Sequence, residues 1–214
     1  MGWSMNQISL PSLGEHICFC GTTGSGKSYL AQRMLEFYGR YFVFDTHGSI
    51  QLPDSVKVSN PTNLRKKLVG FDKIRYVPAL DYRTRDWYNE VIRKLMLDKA
   101  GKGRIIYIDE IFHLGYGPSF PDWLSRGIST ARQRKTSVWV ASQRPMNIPM
   151  AILTEATKIY CFYLAYEDDI DKLSKFTRDR QNFKGGMREL KYDHSFIEID
   201  RVHGTWRKLP KLGG

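Results

Sequence analysis

A glycine-rich segment near the amino terminus reads Gly21, Thr22, Thr23, Gly24, Ser25, Gly26, Lys27 and Ser28. The apolar run from His16 to Cys20 comes directly before this segment and predicts a strand. The stretch from Lys27 to Tyr38 comes directly after it and predicts a helix. A glycine-rich turn that leaves a strand, enters a helix and ends in Lys-Ser is typical of a phosphate-binding loop, the Walker A motif.

Each residue type in this loop has a chemical reason to be there. Glycines let backbone amides turn toward phosphate oxygens, and the start of the helix adds positive potential. The Lys27 ammonium is expected to reach the β- and γ-phosphates, and the Ser28 hydroxyl to ligate magnesium. The segment predicts a site for ATP and Mg²⁺, and we include Tyr29, the next residue, among those that bind the nucleotide.

A second motif follows another apolar run, from Arg104 to Ile108. The run ends in two acids, Asp109 and Glu110, which is the Walker B arrangement. We expect Asp109 to bind magnesium and Glu110 to orient and deprotonate the attacking water. Two acids after a strand also fit a solvated turn, but the complete phosphate-binding loop favours the catalytic interpretation.

A third motif closes the apolar run from Ser137 to Ala141 and reads Ser142, Gln143, Arg144 and Pro145. Ligands of open α/β sheets collect at the carboxyl ends of neighbouring strands. We therefore expect Gln143 to contact the γ-phosphate or the attacking water.

The periodicity of the chain predicts an α/β fold with a mostly parallel central sheet, helices on its faces and a β-hairpin at the carboxyl end. The predicted strands are His16–Cys20, Tyr41–Phe44, Ile74–Val77, Arg104–Ile108, Ser137–Ala141 and Lys158–Leu164, with a hairpin of Ser195–Ile199 and Thr205–Leu209. The predicted helices are Lys27–Tyr38, Asn63–Val69, Arg85–Lys99, Pro121–Arg132, Met150–Thr157 and Glu167–Phe176. Within the third helix, Trp87, Val91, Leu95 and Met96 form a stripe predicted to face the core.

Length and composition favour one domain. The 214 residues are 42% hydrophobic, which suits a single P-loop unit over 1–214, with 1–12 as an amino-terminal extension and 190–214 as hairpin and tail. No apolar run is long enough to span a membrane, and no signal peptide is evident, so we expect a soluble protein. Cys18, Cys20 and Cys161 are expected to be buried thiols. Neither His47 nor His113 has the spacing of a zinc site, so we expect a structural role or one at the edge of the nucleotide site for each.

Together the three motifs and their order resemble the FtsK-HerA superfamily of DNA-pumping P-loop ATPases, whose members carry a strand ending in Ser-Gln-Arg-Pro or Thr-Gln-Arg-Pro after Walker B. The resemblance spans about Ile17 to Leu164. Residues 44–48, Phe-Asp-Thr-His-Gly, also look like the Asp-x-His-Gly segment of that family. The resemblance implies a RecA-like (ASCE) P-loop NTPase fold and a ring, of six subunits by family analogy, that moves double-stranded DNA.

The resemblance also implies an arginine that reaches the neighbouring subunit's nucleotide. Arg132 stands eleven residues before Gln143, an offset that HerA-like members associate with this role. It is therefore the predicted trans finger, which would neutralise charge on the transferring phosphoryl group. Arg126, Arg134 and Lys158 remain alternatives, and Arg132 could instead cap the carboxyl end of a helix.

The formal net charge of +11 favours a polyanionic partner, either nucleic acid or an anionic membrane surface. The predicted DNA contacts are Arg65, Lys66, Lys67, Arg83 and Arg85, and a wider set adds Arg178, Arg180, Lys184 and Arg188. Backbone phosphates require only such charges. The segment from His113 to Phe120 is uncharged apart from its histidine, and we place it near the pore of a ring as a hypothesis.

Among members of the superfamily, this short chain most resembles the genome-packaging ATPases of tailless, internal-membrane viruses. That resemblance implies capsid or portal-vertex partners and a location in the host cytoplasm or at the packaging vertex of the virion. One alternative is a HerA-like repair translocase or a conjugation translocase in a cell. Another is a nucleotide-switched assembly protein that resembles the zonular-occludens type of filamentous phage.

Overall fold

Nine strands form one sheet within the residues that the computed structural model describes, which are 8–97, 101–115 and 119–211, apart from the Arg65 side chain. The strands are β1 (His16–Cys20), β2 (Tyr41–Phe44), β3 (Val56–Val58), β4 (Lys73–Tyr76), β5 (Ile105–Ile108), β6 (Ser137–Ser142), β7 (Ala156–Cys161), β8 (Phe196–Asp200) and β9 (Thr205–Leu209). Their order across the sheet is β3-β4-β2-β5-β6-β1-β7-β8-β9.

Strand direction divides this sheet into two parts. The pairs from β3 to β7 are parallel, whereas β7 with β8 and β8 with β9 are antiparallel. In the parallel part all carboxyl ends meet at one edge, which places the segments after β1, β5 and β6 side by side. The predicted α/β class, mostly parallel sheet and carboxyl-terminal hairpin are confirmed.

Helices cover both faces of the sheet. They are α1 (Lys27–Leu35), α2 (Pro61–Gly70), α3 (Arg85–Leu97), α4 (Asp122–Ala131), α5 (Met150–Glu155), α6 (Glu167–Ser174) and α7 (Arg180–Arg188). Buried side chains of α1 pack with one set of alternating strand residues, including Ile17 and Tyr107. Buried side chains of α2 to α7 pack with the opposite set, including Cys18 and Ile108. The central strands β1, β2, β5 and β6 are buried on both faces, as their apolar runs predict.

Two elements were missing from the sequence prediction. Strand β3 has three residues, of which only Val58 is buried, so it is too short to show a period. Helix α7 contains Gly185 and Gly186, which have low helix propensity. A Cβ at Gly186 would lie 2.9 Å from the Trp206 ring, so close packing against β9 requires a glycine in this helix.

Several predicted boundaries were wrong by two or three residues. The helix that begins at Lys27 ends at Leu35, and Phe37 and Tyr38 continue as a turn with bonds to residues three positions earlier. The helix after Met150 ends at Glu155 because Ala156 already pairs with His16 in the sheet. The strand predicted at Lys158–Leu164 begins two residues earlier and ends three residues earlier, at Ala156–Cys161. Two helix boundaries also differ by two residues, since α2 begins at Pro61 and α6 ends at Ser174. Asp98 and Lys99 of the third predicted helix lie outside the described residues.

The predicted core is largely present. Cys18, Cys20 and Cys161 are buried free thiols. In the α3 stripe Val91, Leu95 and Met96 are buried, but Trp87 is 39% exposed and packs edge-on against Tyr82, so its assignment to the core was wrong. Among the described residues no helix has the length and hydropathy needed to cross a membrane.

Candidate nucleotide site

The loop between β1 and α1 has the backbone shape that its glycines allow. Gly24 and Gly26 have φ angles of +73° and +111°, a region that residues with a Cβ rarely adopt. Gly26 directly precedes α1, so this helix begins at the loop. The side chain of Lys27 is buried, and its Nζ donates to the Thr22 carbonyl oxygen at 2.9 Å. The ammonium thus lies across the inside of the loop.

The two predicted magnesium ligands are in direct contact. Ser28 Oγ donates to Asp109 Oδ1 at 2.7 Å, although 81 residues separate them. The Tyr107 hydroxyl donates to the same oxygen at 2.8 Å and helps to orient the carboxylate. A hydroxyl and a carboxylate at one point are hard oxygen donors, the type that Mg²⁺ prefers. These residues therefore fit the metal that the motif implies.

Glu110 lies beside Asp109 and is bound to the end of the next strand. Its Oε2 accepts from the Gln143 backbone N–H at 3.3 Å, and its Oε1 accepts from the Phe112 N–H at 3.4 Å. Burial raises the pKa of Glu110, while these two N–H groups and Lys27 oppose the rise. Burial also lowers the pKa of Lys27, and the Glu110 and Asp109 carboxylates oppose that change. Opposite charges are thus buried together at this edge.

One cleft contains most of the predicted site residues. It has a volume of about 380 Å³ and is lined by Thr23, Gly24, Lys27, Ser28, His47, Ser49, Asp109, Glu110 and Gln143. Gly21, Thr22, Ser25 and Gly26 belong to the surrounding loop but do not line the cleft. Tyr29 is 43% exposed and lies outside its lining. The three motifs therefore meet at the carboxyl ends of β1, β5 and β6.

The segment after β2 contributes two lining residues, His47 and Ser49, that no part of the prediction assigned to catalysis. Asp45 is fully buried and folds this segment into the cleft. Its carboxylate accepts from the backbone N–H groups of Gly48 at 2.7 Å, Ser49 at 3.2 Å and Ile50 at 3.0 Å. Only the Asp-x-His-Gly likeness hinted at this turn.

The His47 ring contacts the His113 ring edge-on, with 5.5 Å between centroids. Burial lowers the pKa of His113, and the nearby His47 lowers it further. No three metal-ligating side chains cluster within the described residues. The histidine pair thus adjoins the nucleotide cleft, an arrangement that the separate positions of 47 and 113 in the sequence did not suggest.

An ion pair between partly exposed Arg144 and buried Asp169 fixes the segment that follows Gln143. Arg144 Nε contacts Asp169 Oδ2 at 2.6 Å, and its guanidinium lies 3.8 Å from the centroid of the Tyr166 ring. The Met146 N–H donates to the other Asp169 oxygen at 2.8 Å. Sequence reasoning missed Asp169 because acids in the first turn of a helix are common.

Arg132 lies near the amino ends of the parallel strands, whereas this cleft lies at their carboxyl ends. The Arg132 carbonyl accepts from the Lys135 N–H at 3.0 Å, one turn before β6 begins. Arg132 also lies beside Gly14, which comes shortly before β1. Its guanidinium donates to the Glu155 carbonyl at 3.1 Å and caps α5. Within its own chain Arg132 is therefore remote from the phosphate-binding loop.

The three alternatives to Arg132 differ in their surroundings. Lys158 pairs with Glu198 at 3.2 Å and is only 16% exposed, so its charge is already compensated inside the chain. Arg134 donates to the Met96 carbonyl at 3.0 Å. Arg126 is exposed on α4, where its own carbonyl accepts from Ser129 and Thr130.

The side chains predicted to contact DNA have different surroundings. Lys66 is exposed on α2, Lys67 covers the Phe71 ring at 4.7 Å, and Arg83 donates to the Pro78 carbonyl at 3.1 Å. Arg85 lies 5.9 Å from the Phe112 ring centroid, and the Arg65 side chain lies outside the described residues.

The wider basic set divides into two pairs. Lys184 pairs with Asp171 at 2.5 Å and Arg188 with Glu167 at 2.8 Å, so α6 already neutralises both charges. Arg178 and Arg180 are exposed. In the predicted pore segment, His113 belongs to the histidine pair, whereas Tyr116, Gly117 and Pro118 lie outside the described residues.

Comparisons with known proteins address the fold. No protein-family model matches the sequence, and no curated protein matches it. The genome packaging NTPase B204 from Sulfolobus turreted icosahedral virus 2, solved with sulfate, is similar with a TM-score of 0.74 at 16% identity, covering 97% of this chain and 100% of that chain. B204 in complex with AMPPCP gives a TM-score of 0.73 at 17% identity, covering 92% of this chain and 98% of that one.

Two further similar structures come from bacteria. VirB4 of Thermoanaerobacter pseudethanolicus has a TM-score of 0.69 at 10% identity, with 93% and 90% of the two chains covered. The N-terminal domain of zonular occludens toxin from Neisseria meningitidis has a TM-score of 0.52 at 14% identity, with 94% and 95% covered. The chain therefore has the P-loop NTPase fold that these structures share.

Proposed function

We propose that this protein hydrolyses ATP and uses the energy to move double-stranded DNA, as the packaging motor of a viral genome. The observation that carries the proposal is the single cleft where Lys27, Ser28, Asp109, Glu110 and Gln143 converge. Phosphoryl transfer requires a cation, metal-ligating oxygens and a general base in one place, and this cleft brings such groups together. The likeness to packaging NTPases in fold supports the viral role by analogy.

Substrate binding begins at the phosphate-binding loop. Backbone amides of the loop and the start of α1 face the phosphates, and the Lys27 ammonium compensates their charge. Ser28 and Asp109 would hold Mg²⁺, which neutralises charge on the β- and γ-phosphates. Because Lys27 is buried, its attraction for the phosphates is less screened by water than that of a surface lysine.

Glu110 is the proposed base for the attacking water. Its burial raises its pKa, which makes the carboxylate a stronger proton acceptor than an exposed glutamate. The Gln143 N–H fixes one carboxylate oxygen, and the Gln143 side chain is proposed to orient the water. The Arg144–Asp169 pair holds the segment after Gln143 in place.

Charge that develops on the transferring phosphoryl group is proposed to be met by Arg132 of a neighbouring subunit. Its place at the far edge of the sheet means that it could reach only another copy's nucleotide. This requires a ring, for which six subunits follow from the family resemblance. We further propose that residues 1–214 form one motor domain that acts on double-stranded DNA at the packaging vertex or in the host cytoplasm, with capsid or portal proteins as partners.

The coupling is tested by steady-state ATP hydrolysis with and without long double-stranded DNA, at low and moderate salt. Glu110→Gln serves as the blank for contaminating ATPases. DNA stimulation that weakens with salt is the expected result, since backbone phosphates are bound by counterion release. Hydrolysis that ignores DNA at every salt concentration would reject the translocase proposal while leaving the ATPase intact.

A nucleotide-switched assembly role is the second candidate. The observation that favours it is the fold likeness to the zonular occludens toxin domain, although that likeness is weaker than the one to B204. The same experiment separates the two candidates, because an assembly switch hydrolyses ATP without DNA. Binding to anionic vesicles, measured by flotation, would then identify the polyanionic partner as a lipid surface.

A further inference from the structure

The two sides of the phosphate-binding loop carry different chemistry. On one side, β6 lies next to β1 and β5 next to β6, and they bring Gln143 and Glu110 toward the loop. On the other side, β7 lies next to β1 and β8 next to β7, and the segments beside these strands bring aromatic residues. The proposed catalytic base Glu110 and the proposed metal ligands act on the γ-phosphate, so the phosphate end of the substrate faces β5 and β6. The nucleoside end must then extend toward β7 and β8.

Three rings border the loop on this second side, and we call Tyr163, Tyr192 and His194 the aromatic rim. Tyr163 follows β7, and its carbonyl accepts from the Thr22 N–H at 3.0 Å. The Tyr192 hydroxyl donates to the Thr23 carbonyl. A Cβ at Gly26 would lie 3.5 Å from His194 Nδ1. The rim is therefore in direct contact with the segment that binds phosphates.

The rim differs from the aromatic residues beneath the loop. Phe162 and Phe196 are fully buried and stack on each other, with 5.0 Å between centroids. Tyr192 is 57% exposed and meets Tyr163 edge-on at 6.0 Å and 89°. An edge-on contact at this exposure leaves ring surface in solvent. A flat heteroaromatic ring stacks favourably on such a surface.

We propose that the aromatic rim is the nucleoside subsite of this protein, with Tyr192 as the residue on which the base stacks. The proposal rests on the proposed function, because it names where the rest of the same substrate binds. The Tyr192 hydroxyl then acts separately, by holding the Thr23 carbonyl. Ring and hydroxyl can therefore be tested with different substitutions.

The test compares ATP with inorganic tripolyphosphate, which has the phosphates but no base. Both are titrated by calorimetry with Mg²⁺ into the full chain carrying Glu110→Gln, so that hydrolysis does not interfere. Tyr192→Ala, added to this parent, is expected to weaken ATP binding by about tenfold, the contribution of one stacked base, and to leave tripolyphosphate binding within about twofold. Tyr192→Phe keeps the ring and should retain most of the ATP affinity.

Phe37→Ala is the matched control, because Phe37 is a similarly exposed ring (56%) just beyond the far end of α1. It should alter neither affinity. Equal losses for ATP and tripolyphosphate in Tyr192→Ala would overturn the subsite, since they would mean that Tyr192 only supports the loop. Loss of ATP binding in Tyr192→Phe equal to that in Tyr192→Ala would overturn it too. A parent that binds neither ligand would instead reject the proposed function itself.

Discussion

Buried polar groups lie at both ends of the parallel strands, which we call the amino edge and the carboxyl edge of the sheet. Their hydrogen-bonding capacity is satisfied in different ways at the two edges. At the amino edge, Arg104 is fully buried and donates to three backbone carbonyls, those of Leu68, Phe71 and Asp72, at 2.6 to 2.8 Å. At the carboxyl edge, Lys27 is also buried, yet its Nζ has one carbonyl acceptor, at Thr22. The first cation closes the end of α2, whereas the second has donors left for a ligand.

This difference separates structural polar groups from functional ones. His16 at the amino edge accepts from the Val138 N–H at 3.0 Å, and its other ring nitrogen lies 3.1 Å from the Ile128 carbonyl. Glu110 and Asp109 at the carboxyl edge place carboxylates close to Lys27 inside one cleft. A buried polar group whose hydrogen bonds are not all satisfied by the backbone lowers the stability of the fold, and such groups are typical of functional sites. Substitutions at the two edges should therefore have opposite consequences.

The largest effect is expected from Lys27→Ala, which removes the cation from the carboxyl edge. ATP binding should weaken by about 100-fold or more, because a buried charged donor to phosphate is lost. The free energy of unfolding should change by less than about 1 kcal/mol, because the desolvation cost removed with the ammonium offsets the lost attraction of the Glu110 and Asp109 carboxylates. Calorimetric titration and urea unfolding measure the two quantities, and a large loss of stability with retained binding would contradict the distinction.

Arg104→Met is the reciprocal change at the amino edge. Methionine keeps the apolar stem but leaves the three carbonyls without their donor. We expect the free energy of unfolding to fall by about 3 to 5 kcal/mol, while the folded protein keeps its affinity for ATP. Urea unfolding checks the first expectation and titration at low temperature the second. Unchanged stability would mean that the amino edge is not structural.

His16 makes the amino edge sensitive to pH. Burial lowers its pKa to about 4, from an ordinary value of 6.5, and the nearby Arg132 contributes. Between these values the unfolded chain binds the proton and the folded chain does not, so stability falls as pH drops from 6.5 to 4. The full loss amounts to about 3 kcal/mol.

His16→Asn isolates this contribution from that of the carboxyl edge, because Asp45 and Glu110 have raised pKa values and act in the opposite direction. Asparagine retains an acceptor but does not titrate. Urea unfolding at several pH values should give a shallower acid slope for the variant than for the natural protein. Identical slopes would show that His16 is not neutral in the folded state.

The smallest effect is expected for a single DNA contact. Lys66→Ala removes one exposed charge on α2 and should lower the slope of log affinity for DNA against log salt by about 0.9. Arg188→Ala is the control, because Glu167 already binds that guanidinium at 2.8 Å. Fluorescence anisotropy over a range of salt measures both. A slope equal to that of the natural protein would remove Lys66 from the DNA surface.

Sequence patterns predicted the parallel part of the sheet because its strands are short, apolar and followed by recognisable motifs. Long-range placement was harder. Nothing local in Asp45 or Asp169 reveals that each is fully buried, since both follow from where separate elements meet. The His47–His113 contact likewise joins segments more than sixty residues apart in the sequence. Short β3 and glycine-containing α7 lacked the periodicity that identifies an element.

ATP binding and hydrolysis at the carboxyl edge can be measured side by side on single preparations of the natural protein and of Glu110→Gln. We expect ATP to bind the two proteins alike, while hydrolysis by the variant falls by about 100- to 10,000-fold, the contribution of a general base. Hydrolysis by Glu110→Gln at the natural rate would contradict the assignment of the catalytic edge.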